Sequence, residues 1–307
     1  MKIIRQGNFK PKPWGRTVVT IGNFDGVHLG HQEILTKLLS LANGRTPVAI
    51  TFDPHPARVI RPDIASQLIE CLDERIDRLA EFGIEHLWIV PFDKEFARIS
   101  AQDFVRDYLQ EMLGAEGLVI GSDGGFGRDR LGDRTLFSEA SSNHPFFVET
   151  VPAVEVEGQR VSSTRIKKEL ERGDVALVTR MLGRKFAISG EVIHGFKKGR
   201  TLGFPTANLQ MSATAIPGSG IYACLAGLKD GRSLPAAVSI GNRPTFKTDV
   251  LSIEAHILDF DEDIYGQKLS LDFIERQRGQ VRFETVAALV DQMKKDVLVT
   301  RKILDRV

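Results

Sequence analysis

Cysteine is scarce in this 307-residue chain. Cys71 and Cys224 stand far apart, without the spacing of a metal site or a redox pair, so no disulfide framework is implied and both are read as reduced packing residues. An excess of charge is lacking too: 41 Lys and Arg against 40 Asp and Glu leave a formal +1. That balance excludes the broad positive field that holds a phosphate backbone, so nucleic acid is not an expected partner. No run approaches the roughly 20 apolar residues of a membrane span, and the opening MKIIRQGNFKPKPWG has charge and proline where a secretory leader needs an apolar core. A membrane partner is therefore not expected, and the expected location is the cytoplasm. Repeats and low-complexity linkers are missing as well, and a homo-oligomer is compatible with all of this.

What is present is alternation. In the first half, short apolar runs at TVVTI (17–21), VAITF (48–52), HLWIVPF (86–92) and GLVIGS (117–122) are separated by segments of helical period, from about Gly30, over DERIDRLAEFG and after Ser100. Near-continuous apolar strands between helices predict a parallel sheet covered on both faces, a doubly wound α/β domain. Ser100 with Asp103 three residues on resembles a capping box and predicts a helix from Ala101 to about Leu113. VSSTRIKKELERG offers Ser162 or Ser163 as N-cap and Gly173 as stop, and Asp174 to Gly183 repeats that plan. Beyond Gly183 the period changes to two, in FAISGEVIHG, IYACLAGL, LPAAVSI, VLSIEAHIL and LSLDFIE, with Asp230-Gly231 as a hairpin turn. This predicts a mainly antiparallel β-barrel, followed by an amphipathic helix in VAALVDQMKKDVLVTRKIL. The length calls for two cores, and the expected domains are 1–183 and 184–307.

GNFDGVHLGH (22–31) lies in the turn after the first strand, the usual phosphate seat of a doubly wound sheet. Gly22, Gly26 and Gly30 permit tight or left-handed backbone and close approach to a ligand, and the helix behind them points free amides at an anion. His28 and His31, three apart, share one side of that helix start and carry donors for phosphate oxygens. Read on their own, they are also compatible with two surface histidines, or with two ligands of a metal site whose third ligand is not near. Downstream, HGFKKGRTLGFPTANL joins a basic, glycine-containing loop to a strand start carrying Thr206 and Asn208. SIEAHIL places Glu254 and His256 on one face of a strand, where a carboxylate beside a bound hydroxyl can accept its proton during phosphoryl transfer. In isolation these stretches read as a solvated turn and a polar strand face.

Their joint order is more specific. HxGH at His28 to His31, TFDPHP at 51–56, PFDKEFA at 91–97, SSTRI at 162–166 and GFPTAN at 203–208 resemble the motifs of the bacterial bifunctional riboflavin kinase/FAD synthetase family, over essentially the full length. For the first domain the resemblance implies adenylyl transfer from ATP to FMN, giving FAD and pyrophosphate. His28 and His31 would stabilise the triphosphate, Ser162, Ser163 and Thr164 would present hydroxyls and amides at a second helix start, and Arg165 would clamp the leaving pyrophosphate. Gly22, Asn23, Phe24, Asp25, Gly26 and Gly30 would shape the nucleotide loop, and Asp123 would border the substrate. For the second domain it implies phosphorylation of riboflavin by ATP with Mg²⁺. Thr206 and Asn208 would bind metal and nucleotide phosphates, Lys198, Gly199, Gly203 and Pro205 would belong to the loop and motif over ATP, and Glu254 would be general base on the ribityl 5′-hydroxyl. Arg278, in FIERQRGQVRF, belongs to a flavin-side loop by the same resemblance.

The chain departs from the family pattern at two places. Asp123-Gly124-Gly125-Phe126-Gly127 has glycine where the family carries an aromatic, which predicts FMN binding weaker by on the order of 1 kcal/mol. Gln277 and Gln280 replace a leucine before Arg278 and a glutamate two residues after it. The alternatives to the bifunctional reading are a riboflavin kinase with a slow or altered-acceptor nucleotidyltransferase domain, and a flavin- and nucleotide-binding sensor without turnover.

Overall fold

The computed structural model describes residues 1–5, 10–64, 67–122, 146–195, 199, 202–211, 214–244 and 249–306, with the backbone alone at 64, 242–244 and 249–250. The chain divides into two compact units, Met1–Ser163 and Thr164–Val307.

The first unit is built on a six-stranded parallel sheet, in the order β1-β4-β3-β2-β5-β6. Its strands are β1 (Lys2–Ile4), β2 (Thr17–Ile21), β3 (Thr46–Asp53), β4 (His86–Pro91), β5 (Ala115–Gly121) and β6 (Phe147–Val151). Both faces are covered, so successive residues of β2 serve different cores: Val18 packs into one cluster and Val19 into the other, each fully buried. That is why the strands read as unbroken apolar runs. The edge strand β1, too short and too charged for the sequence to announce, pairs in parallel with β4. The chain order reverses beside β2, with β3 and β4 on one side and β5 and β6 on the other, so the turn after β2 sits at the switch point where such sheets bind ligands.

Helices α1 (Leu29–Ser40), α2 (Pro56–Ile60) and α3 (Leu72–Glu81) follow the first strands. The helix expected after Ser100 forms, but not uniformly. Ser100 Oγ accepts from Asp103 N at 3.1 Å and opens one α turn, α4 (Ala101–Asp103). From Phe104 to Met112 the chain widens to π-type turns, in which Leu113 N donates to the Tyr108 carbonyl five residues back. These turns set Phe104 and Tyr108 in stacked contact at 5.5 Å, beside Trp88.

At the opposite ends of the strands, Glu116 accepts from Arg16 and Arg45, and the two guanidinium groups hold its carboxyl at about 2. A carboxyl depressed from its usual 4.5 contributes stability above that value and loses it as pH falls toward 2. Glu116→Gln is therefore expected to flatten the acid side of the unfolding-midpoint curve between those values, and to lower the midpoint slightly at neutral pH.

The second unit opens with α5 (Ser163–Arg172, counted here from Thr164) and α6 (Val175–Leu182). Asp174 caps α6 through Leu177 N at 2.9 Å, and Gly183 ends it in the left-handed conformation. Then comes a closed antiparallel barrel, β10-β13-β12-β11-β14-β9. Its strands are β9 (Phe186–Ile193), β10 (Ala207–Met211), β11 (Gly220–Gly227), β12 (Ser233–Pro244), β13 (Asp249–Ile257) and β14 (Lys268–Arg278), numbered after a two-stranded ribbon of β7 (Glu155–Val156) and β8 (Gln159–Arg160) in the first unit. Tyr222, Ala223, Cys224, Ala226, Ala236, Val238, Ile240, Ala255, Leu271 and Phe273 are fully buried, so the barrel strands pack small side chains against a few large ones. Polar groups accordingly face outward, as Ser252, Glu254 and His256 do between buried Ile253, Ala255 and Ile257. Helix α7 (Val286–Leu304) follows. Among the described residues no helix is long and apolar enough to cross a membrane.

Candidate active sites

The turn after β2 is shaped by three left-handed residues, Phe24, Gly26 and Val27. Of the three glycines expected to allow tight or left-handed backbone and close approach, Gly26, at φ +86°, is the left-handed one. At Gly30 the need is for space: a Cβ there would stand 3.2 Å from Cε1 of His28. Gly30→Ala is therefore expected to displace the His28 ring and to slow the reaction of this site about tenfold while leaving the barrel's reaction unchanged, as measured by separate assays of the two.

The turn is held from several sides. Its Asn23 carbonyl accepts from Arg75 Nη1 at 2.8 Å and from Thr51 Oγ1 at 3.3 Å. Asp25 is buried; its Oδ1 accepts from Ile69 N at 2.8 Å, and its carbonyl accepts from Ser163 Oγ at 2.9 Å. Through that last bond two sequence motifs 138 residues apart meet. Thr164 and Arg165 follow in the first turn of α5.

His28 is the N-cap of α1, and its Nδ1 accepts from His31 N at 3.4 Å. With Nδ1 used as an acceptor, the neutral ring carries its proton on Nε2, which is then a donor. The His28 and His31 rings stack with centroids 3.7 Å apart, and His31 meets the edge of Phe24. Burial, then His28 and Arg75, push the His31 pKa well below its usual value. His31 thus enters the stack as a neutral ring, so the pair is not two cations. Among the described residues no group of three or more His, Cys, Asp or Glu could hold a metal ion.

In the barrel, Thr206 Oγ1 donates to Glu254 Oε2 at 3.3 Å, Ser252 Oγ approaches Oε1 at 3.5 Å, and Asn208 stands opposite Glu254 in the β10–β13 register. The Pro205 carbonyl is 2.8 Å from His256 Nδ1, and Phe204 meets the His256 ring edge-on at 5.3 Å. A side chain at Gly195 would overlap the Asn208 amide, and one at Gly199 would overlap the Phe204 carbonyl beside Thr206 Oγ1, so backbone lies directly against both residues. Gly203 takes a left-handed turn just before the motif. A cleft of about 190 Å³ runs from Pro205 and Thr206 past Val192 and Ile257 to Phe260 and Tyr265, with Asp261, Glu262 and Asp263 on its wall.

Arg278 is engaged inside the unit. It forms a two-point pair with Asp296 of α7 at 2.8 and 2.5 Å, and its Nη1 donates to the Gly279 carbonyl. Both glutamines that depart from the pattern expected by resemblance act as donors. Gln277 Nε2 donates to Thr300 Oγ1 at 2.6 Å, and Gln280 Nε2 donates to Ser239 Oγ and the Ile240 carbonyl at 3.0 Å; a leucine or a carboxylate has no such donor. Asp123, with the glycines after it, and Lys198 lie outside the described residues. Missed in the sequence was Arg75, which with Ile76 and Leu79 is buried on the inward side of α3.

A parallel sheet with a histidine-capped turn at its switch point, joined to a closed barrel whose wall gathers Thr, Asn and Glu, defines a two-domain nucleotide-handling protein. Comparison narrows the class. The profile of the FAD synthetase family matches residues 10–165, and that of the riboflavin kinase family matches 182–304. The bifunctional riboflavin kinase/FMN adenylyltransferase of Pseudomonas fluorescens is 37% identical over 297 residues, 96% of this chain and 94% of that one. Its counterpart from Escherichia coli K12 is 36% identical over 306 residues, covering 98% and 97%. Among solved structures, one described as a macrolide-efflux protein from Streptococcus pneumoniae superposes with a TM-score of 0.88 at 32% identity, covering 97% of this chain and 98% of its own. The chain belongs to the bifunctional riboflavin kinase/FMN adenylyltransferase family.

Proposed function

We propose that the chain phosphorylates riboflavin with ATP at the barrel wall and adenylylates the resulting FMN with a second ATP at the β2 turn, releasing FAD and pyrophosphate. The observation that carries this reading is the gathering of Thr206, Asn208 and Glu254 at one point of the wall, where a polar strand face alone would leave them apart. Glu254 takes the proton of the riboflavin 5′-hydroxyl as that oxygen attacks the γ-phosphorus and ADP leaves. The cleft beside Thr206 receives the nucleotide base against Phe260 and Tyr265, because its acidic wall repels phosphates and directs them toward Thr206. Hydroxyl, amide and carboxylate oxygens are the hard donors Mg²⁺ prefers, so Thr206 and Asn208 would hold that ion beside Glu254. When bound, it supplies charge neutralisation for the phosphates.

At the β2 turn an oxygen of the FMN phosphate attacks the α-phosphorus of ATP, and the bond to pyrophosphate breaks. This step needs alignment and charge stabilisation and no protein nucleophile. His28 and His31 donate to the phosphates as neutral rings, Ser162, Ser163 and Thr164 line the start of α5, and Arg165 balances the leaving pyrophosphate. Asn23, Phe24 and Asp25 hold the loop, Asp123 and Lys198 complete the two sites, and Arg278 steadies the barrel's flavin side through Asp296. The functional boundary falls at 183/184, which is supported by family profiles that end at 165 and begin at 182. Action in the cytoplasm, on small molecules alone, is part of the same reading.

Incubation with riboflavin, ATP and Mg²⁺, with the flavins separated over time, tests it. FMN appearing first and FAD following is the expected result. FMN accumulating without FAD would assign the first domain to another acceptor, and bound but unchanged riboflavin would make the protein a sensor.

A further inference from the structure

Arg75 is 1% exposed on the inward side of α3, where a leucine or methionine would pack without desolvating a charge. Burial lowers its pKa, and Asp25, Asp53, Glu70 and Cys71 oppose that shift in part. Its Nη1 gives hydrogen bonds to the Asn23 carbonyl at 2.8 Å and Thr51 Oγ1 at 3.1 Å, and lies 3.5 Å from the Phe52 carbonyl. These acceptors belong to the carboxyl ends of β2 and β3, the two adjacent strands on one side of the switch point. Its Nε is enclosed with no acceptor among the described residues, so the guanidinium is not there to satisfy its own hydrogen bonds.

Its reach extends two residues further along the chain. The Asn23 carbonyl it holds leads directly into left-handed Phe24, whose ring supports His31, and then into Asp25, on whose carbonyl Ser163 docks. We infer that Arg75 is a positioning residue for adenylyl transfer: from the carboxyl ends of β2 and β3 it fixes the Asn23–Asp25 backbone, and so sets both the histidine stack and the docking of the second motif. The inference rests on reading the first unit as the FAD-forming one.

The full chain carrying Arg75→Lys, which keeps the charge and loses the fork, tests it, with Arg75→Met as the harsher variant. FAD formation from supplied FMN is expected to show kcat lower by about tenfold in the lysine variant and about a hundredfold in the methionine variant, with KM for FMN within about threefold of the parent. Riboflavin phosphorylation, the internal measure of a folded chain, stays unchanged. Hydrogen exchange at the amides of Val27, His31 and Ile69 speeds up in the lysine variant. Unaltered exchange at these amides, or FMN formation falling in step with FAD formation, overturns the inference. If the parent makes no FAD, the exchange result still decides the role of Arg75 while the functional reading fails separately.

Discussion

Glu254→Gln removes riboflavin phosphorylation and leaves adenylylation of supplied FMN intact. The amide has the shape of the carboxylate and can still accept the Thr206 hydroxyl, which donates to Oε2 at 3.3 Å, so the wall keeps its geometry. What disappears, on the proposed reading, is the base for the 5′-hydroxyl proton. Such a group contributes about two to four powers of ten, so kcat for FMN formation should fall by that factor, about 3 to 5 kcal/mol of barrier, with KM for riboflavin little changed. Separate assays from riboflavin and from FMN check the result. A variant with full kinase activity would place the base elsewhere, and one losing both reactions equally would point to misfolding.

The second large effect is expected at His28, where two contributions must be separated. Nδ1 caps α1, and loss of an N-cap costs about 1 kcal/mol of helix stability. On the proposed reading Nε2 donates to the phosphates, and loss of one preorganised donor costs about two to three powers of ten in kcat. His28→Asn restores a capping side chain without replacing that donor. It should therefore unfold at nearly the parental temperature and still form FAD at least a hundredfold more slowly, by about the donor's share. The double variant His28→Ala, His31→Ala loses the stack as well and should form FAD more slowly again. In both, FMN formation proceeds at the parental rate, and an asparagine variant with normal FAD formation would reduce His28 to a cap.

Which of these features the sequence discloses follows from how each is held. Buried parallel strands show themselves because both faces are apolar, as in TVVTI, and caps such as Ser100, Asp174 and Gly183 work through local hydrogen bonds visible in a short window. The barrel's closure follows from period two, but the opposition of Asn208 and Glu254 comes from register, which no window contains. Arg75 was hidden because a charged residue in an amphipathic helix is read as solvent-facing, while its acceptors lie on other strands. The left-handed Phe24 and Val27 were hidden for another reason: neither residue type favours that conformation, so only the surrounding contacts impose it. The π-type turns after Ser100 belong to the same group, since period alone does not separate them from an α-helix.

The barrel closes where β9, its first strand, meets β14, its last, from Phe186 opposite Phe273 to Glu191 opposite Lys268. The first unit's sheet, by contrast, is finished at β6, and the motif SSTRI that docks on it through Ser163 is finished at Ile166. On a translating ribosome the two sites therefore mature in the reverse of their order of use. On the proposed reading the strands behind FAD formation are complete early, while the barrel behind FMN formation cannot close until β14, almost the end of the chain, has been made.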